Sequence, residues 1–257
     1  MKKLTAKTII AAAHTAVVIL LLIPVGSAFS QSGYQILSTV PHNPDYFTQG
    51  LEIHGGVMFE SSGLYGKSKV RKYQPENDDT VAEIQIAERY FAEGLTLFNH
   101  ELLLLTWREN TLFVLDPDTL EIKREQNYKG DGWGLAATET QLMMSDGSDK
   151  IYFRNPESFS IEREITVHYK KHTVPQLNEL EYAKGYIWAN IWRTPLIAKI
   201  QPANGAVVAF YDFTALVKQN TNGNNERVLN GIAYDTERDA FWITGKLWPN
   251  RYLVRLQ

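Results

Sequence analysis

Gln49-Gly50-Leu51, Glu93-Gly94-Leu95, Trp133-Gly134-Leu135, Asn178-Glu179-Leu180 and Asn230-Gly231-Ile232 are five versions of one phrase, spaced 44, 40, 45 and 52 residues apart in a chain of 257. A second column runs behind the first. Gly63, Trp107, Gly147 and Trp192 each fall 13 residues after the middle of their triplet, and Gly245 falls 14 after Gly231, which implies one inserted residue. Repeats of about 40–50 residues built from short strands are the signature of a β-propeller with one blade per repeat. The expected fold is therefore all-β, a five-bladed propeller. A position with a purely structural task would keep one residue type, yet the triplets are headed by Gln, Glu, Trp, Asn and Asn. Five equivalent places in a closed ring converge near its axis, so this column reads as a site.

Outward from the triplets, short β-rich runs alternate with turn clusters. Blade one reads as strands over 51–54, 57–61, 69–73 and 81–86, and blade two over 95–98, 101–107, 111–115 and 121–126. Blade three reads as 135–137, 141–145, 150–154 and 161–165, and blade four as 180–182, 186–191, 197–200 and 207–211. Asp116-Pro117-Asp118, Asn155-Pro156-Glu157 and Pro202-Ala203-Asn204-Gly205 stand at the same point of successive repeats, where a hairpin tip needs them. Blade five has only three strands, 232–234, 240–244 and 252–256. A spare strand over 34–40 precedes the first triplet. Pairing it with the C-terminal blade would close the ring and remove two open edges. A helical turn or two is expected over 213–218, and a polar mobile loop over 220–226.

The chain opens with Lys2, Lys3 and Lys7, an apolar run over 16–25, and small residues around Ser27, Ala28 and Ser30. This is the pattern of a secretory signal peptide over 1–30, with cleavage after Ser30 or after Ala28 and the propeller domain over 31–257. An uncleaved membrane anchor is the competing reading, and His14 within the apolar stretch argues against it. Periplasmic or secreted is the expected location, with no membrane attachment once the leader is cleaved. Loss of the three lysines takes the net charge from −3 to −6, so no nucleic-acid partner is expected. Cysteine is absent, which removes disulfides and a thiol nucleophile and leaves stability to core packing and ring closure. A monomer is the expectation.

Familiar catalytic motifs fail on inspection. The stretch 61–68 is one residue short of a phosphate-binding loop and is followed by a strand, so no helix N-terminus awaits a phosphate. No Gly-x-Ser-x-Gly elbow is present, and the six histidines lack zinc-site spacing. Asp146-Gly147-Ser148-Asp149 reads as a hairpin turn with too few oxygens for calcium. No metal and no cofactor is expected. What remains is Trp107, Trp133 and Trp192 in the repeat columns, with Phe47 and Phe91 two residues before triplet heads. Any one tryptophan suits a core between blades, but three in columns that elsewhere hold glycine point to a lined recess. Glu93 and Lys246 are ionisable groups at repeat-end positions, as is Glu179. A carboxyl in an aromatic recess has its pKa raised by desolvation and suits acid–base work, while a structural Glu93–Lys246 pair is the alternative.

These residues, taken in order, resemble the plant and bacterial type of glutaminyl-peptide cyclotransferase. The matching phrases run from 41–51 through Glu60-Ser61-Ser62-Gly63, Phe91-Ala92-Glu93-Gly94, Gly132-Trp133-Gly134 and Asn178-Glu179-Leu180 to Ala189-Asn190-Ile191-Trp192, Asn230-Gly231-Ile232 and Thr244-Gly245-Lys246-Leu247-Trp248. The resemblance implies a five-bladed propeller. It implies Glu93 as catalytic group, Gln49, Asn178 and Lys246 as polar partners, and an aromatic pocket of Phe47, Phe91, Trp107, Trp133 and Trp192. One departure is Ala92, where glycine is expected.

The implied substrates are peptides or proteins with N-terminal glutamine. Their own α-amine attacks their own side-chain amide, which explains why the chain needs no Ser or Cys nucleophile and no metal-activated water. Positioning alone can contribute about 7–11 kcal/mol in favourable cases. Lys246, Asn178 and an indole N–H are candidates for the oxyanion, and Glu93 for moving the proton. The attacking amine must be neutral, and its ordinary pKa of about 7.7–8.0 implies a mildly alkaline preference. A non-catalytic periplasmic propeller that holds a peptide end or a small ligand in the same pocket is the alternative. A metal-dependent propeller hydrolase is disfavoured because the axial column lacks the necessary oxygen and nitrogen ligands.

Overall fold

The structure, a computed structural model, describes residues 31–257, so the expected leader lies outside the described residues. Five antiparallel sheets stand around an axis. Their innermost strands are Thr48–His54, Ala92–Phe98, Leu135–Ala137, Leu177–Ala183 and Leu229–Asp235. All five carry a triplet or its end, and the reason is crowding. A Cβ on Gly134 would lie 2.1 Å from Asn178 O and 2.8 Å from Leu180 N of the next blade, so only glycine lets these backbones meet.

Each blade buries both of its faces. Five apolar clusters fill the five gaps between neighbouring blades, the last of them uniting Val40, Leu51 and Met58 with Trp242 and Leu253 across the seam of the ring. The run Leu102-Leu103-Leu104-Leu105 in strand Glu101–Thr106 shows how sequence serves this arrangement. Leu102 and Leu104 join the cluster towards blade one, and Leu103 and Leu105 the cluster towards blade three. A strand buried on both faces has no polar side to alternate with, so it reads as a continuous apolar run.

The ring closes as expected. Strand Tyr34–Pro41 pairs antiparallel with Asn250–Leu256, from Tyr34 opposite Leu256 to Pro41 opposite Asn250, and supplies blade five with its fourth strand. Three features depart from the expectation. Gln31–Ser32 adds a short parallel strand to the rim of blade four, and the hairpin His168–Tyr169/His172–Thr173 sits after blade three. Two-residue pairings carry no periodicity by which to foresee them. The helix runs over Thr214–Thr221, so it absorbs the start of the stretch assigned to a loop. Asn220 is buried there, and its Nδ2 donates to Leu216 O and Tyr252 Oη, both at 2.8 Å.

Candidate active site

One end of the axis opens into a recess of about 210 Å³. Every site residue expected from sequence lines it: Glu93, Lys246 and Asn178, with Gln49 and the aromatic rings of Phe47, Phe91, Trp107, Trp133 and Trp192. The triplet heads of blades one to four thus meet around one space. The fifth head, Asn230, lies beneath them. Its Nδ2 donates to Thr48 O at 2.9 Å and Gln49 Oε1 at 3.3 Å, and Gln49 Nε2 in turn donates to Glu93 Oε1 at 3.1 Å. The Gln49 amide is therefore held at both ends and presents its N–H to Glu93.

The second column explains the aromatic wall. A Cβ on Gly63 would lie 2.2 Å from the Phe91 ring, and one on Gly147 would lie 2.6 Å from the Trp133 ring. Glycine in that column makes room for a ring from a triplet segment, while in blades two and four the column residue is itself Trp107 or Trp192. The rings meet edge to face, Trp133 with Trp192 at 5.5 Å and Phe91 with Trp107 at 5.5 Å. Of the six tryptophans, these three are half-buried in the recess, and Trp188, Trp242 and Trp248 are fully buried core residues.

The fifth copy corrects the sequence alignment of this column. Gly245 pairs with Leu229, as Ser62 does with Thr48, Thr106 with Ala92 and Ile191 with Leu177. The residue equivalent to Gly63, Trp107 and Trp192 is therefore Lys246. Its N–H donates to Val228 O just as theirs donate to Phe47 O, Phe91 O and Gln176 O. The insertion is two residues long and lies in the hairpin between Leu229–Asp235 and Ala240–Gly245, where four residues replace the two that link the inner hairpins of blades one, two and four.

Glu93 and Lys246 are both buried, and among the described residues no direct ion pair joins them. Burial pushes the Glu93 carboxyl well above its ordinary range. Lys246 opposes that shift, while Glu109 and Asp131 at the rim add to it. Burial also lowers Lys246 to about 8, with Glu93 and Glu226 pulling the other way. The Lys246 Nζ lies 4.6 Å from the centre of the Phe47 ring. Two further polar atoms are buried at the recess without any hydrogen-bond partner, Trp133 Nε1 and Asn178 Oδ1. A buried polar atom left single is costly unless a ligand completes it.

Ala92 replaces the expected glycine at no visible cost. It is fully buried in the cluster between blades one and two, and its N–H donates to Ser68 Oγ. Sequence reasoning missed Arg193, Asn225, Glu226 and Val228, which form one wall, and the rim groups Glu109 and Asp131. They lie outside the repeat columns. Arg193 could have been sought as the residue that follows Trp192, and Glu109 as the second residue after Trp107. Among the described residues no group of three or more His, Asp or Glu side chains is placed to hold a metal.

The sequence profile described as glutamine cyclotransferase matches residues 4–256 of the chain. A glutaminyl-peptide cyclotransferase of Arabidopsis thaliana is 38% identical over 233 residues, which cover 87% of this chain and 71% of that protein. The crystal structure of Myxococcus xanthus glutaminyl cyclase superposes with a TM-score of 0.83 at 35% identity, covering 88% of this chain and 97% of its own.

Proposed function

The chain belongs to the glutamine cyclotransferase family, an enzyme family that closes N-terminal glutamine into pyroglutamate with release of ammonia, and we propose that Glu93 moves the proton in that reaction. The observation that carries this assignment is a buried carboxyl on the ring axis, raised in pKa and held only through Gln49, inside an aromatic recess. The substrates are peptides or proteins that begin with glutamine.

The glutamine side chain folds back in the recess so that its amide carbon faces the α-amine. A raised Glu93 competes for the proton of the incoming ammonium, whose ordinary pKa is about 7.7–8.0, and so frees the amine to attack. The new N–C bond makes the amide oxygen an oxyanion. Lys246 and Trp133 Nε1 are the donors for it. Asn178 offers an unpaired acceptor in Oδ1, which suits a substrate N–H, beside the oxyanion role its amide N–H is a candidate for. As the tetrahedral carbon collapses, Glu93 gives its proton to the leaving nitrogen and takes one from the ring nitrogen. The C–N bond breaks, and Glu93 passes the proton taken from the ring nitrogen to the departing ammonia, which leaves as ammonium and restores the carboxylate.

Every proton is thereby accounted for by the substrate and one carboxyl, so activity in the presence of EDTA is expected. Mass spectrometry of a Gln-initiated peptide incubated with protein and chelator tests this. Loss of one ammonia supports the reading, and an unchanged mass with retained binding would favour the non-catalytic peptide-end binder. We also infer export to the periplasm or medium, from the basic, apolar and small-residue order of 1–30, and a monomeric enzyme. Intact mass of the exported protein and its sedimentation check both.

A further inference from the structure

We propose that a second recess beside the axial one binds the residue that follows the N-terminal glutamine, or the next, and selects an acidic side chain there. This inference rests on the reading of the axial recess as the glutamine site. The second recess, about 250 Å³, lies against the helix Thr214–Thr221 and shares Arg193, Asn225 and Val228 with the first. Once glutamine is folded into the axial recess, its own carbonyl must leave through the mouth. An extended chain advances only about 3.3–3.6 Å per residue, so the next one or two side chains fall at this shared wall.

The lining supplies the chemistry. Its ionisable side chains are Arg193, Lys218 and Arg227, all cationic. Pro195, Val217 and Leu229 provide apolar surface between them. Arg227 Nε is buried without a hydrogen-bond partner, and Arg227 Nη1 reaches only Asn220 O at 3.5 Å, so this guanidinium still lacks an acceptor. A short aliphatic stem ending in a carboxylate meets both kinds of surface, and the guanidinium fork matches a carboxylate. Arg193 meets Glu226 at 3.9 Å, and the opposite side of the mouth has its charges engaged as well, Arg108 with Asp131 and Glu109 with Tyr65. Among the described residues Lys218 and Arg227 are therefore the cations of the second recess without an acidic partner. The recess is also built on a fixed element, because Leu216 and Asn220 anchor the helix in the core.

The test compares kcat/KM for Gln-Xaa-Ala and Ala-extended Gln-Ala-Xaa peptides, with Xaa as Glu, Ala or Lys, beside the dipeptide Gln-Gly. The expected result is a preference of about tenfold for Glu over Lys at one of the two positions, weakened by added salt. Lys218→Glu and Arg227→Gln should each reduce that ratio. The Lys218 variant changes an exposed residue and keeps the test decisive if the Arg227 variant fails to fold. Equal rates for acidic and basic peptides in the parent, or a preference that survives Lys218→Glu, overturns the inference while Gln-Gly is still cyclised. If Gln-Gly and all the longer peptides remain uncyclised, the reading of the axial recess fails and takes this inference with it.

Discussion

Glu93 and Glu179 are two buried carboxyls contributed by the same repeated phrase, one at its head and one in its middle, and their surroundings part them completely. Glu93 has the Gln49 amide as a side-chain partner and otherwise faces the recess. Glu179 takes the place that glycine holds in the other four triplets, and its carboxyl is consumed by backbone. Oε2 accepts the N–H of Ile232 at 2.9 Å and Oε1 that of Leu51 at 3.4 Å, which ties blade four to blades five and one. Burial raises both carboxyls. A raised pKa alone therefore does not mark a catalytic group. What marks it is an oxygen with nothing fixed on it.

The sharpest way to break this comparison is Glu93→Gln. General acid–base catalysis contributes about 10²–10⁴-fold, so kcat should fall by that order while the melting temperature barely moves. Unchanged turnover, or unfolding, would make Glu93 a second Glu179. The converse variant is Glu179→Ala. It leaves two buried N–H groups without their acceptor, at about 1–3 kcal/mol each, so denaturant melts should show a destabilised fold. Rates per folded molecule should stay near the parent's.

A smaller effect concerns pH. Lys246 loses its charge as pH rises through about 8, so kcat should decline on the alkaline side. Lys246→Met should give a lower rate without that decline, and a decline that persists would assign it to another group. The smallest effect separates the two carboxyls through stability. Glu179 holds its proton more tightly folded than unfolded, where a glutamate titrates near about 4.3. Its contribution is complete below that pH and is lost as pH rises through the raised folded value. Glu181 and Glu52 share the axis and are raised in the same sense, both by burial and Glu181 also by the charge of Glu52. Melting temperature should thus fall less steeply above pH 5 in Glu179→Gln than in the parent, and identical slopes would remove Glu179 from the balance.

Much of this was legible in the sequence because the axis imposes one demand five times. Gly50, Gly94 and Gly134 are required where backbones nearly touch, so the repeat shows through divergent surroundings. The residues beside those glycines were free to vary and carry the chemistry, which is why Glu93, Asn178 and the aromatic wall could be picked out. Lys246 was found, but its place in the second column was not, since a longer hairpin shifts the count by two. Asn225 and Glu226 were missed because the segment that brings them to the recess occurs once, between blades four and five, and no column reports on it. Asn220 was misread because a polar residue in a polar run gives no hint that tertiary contacts bury it.

The pairing of Tyr34–Pro41 with Asn250–Leu256 has a consequence for the order of events during synthesis. Tyr34–Pro41, made before any of the five inner strands, must wait for the last strand before it finds its partner. Four blades can assemble locally as they emerge, but the seam is among the longest-range contacts the chain makes, and such contacts form slowly. Until then blade five lacks its outer strand and presents an unpaired edge to any neighbouring chain. A ribosome that stalls before residue 250 leaves a ring that cannot shut, so the arrival of the strand Asn250–Leu256 is checked by the geometry of the fold itself.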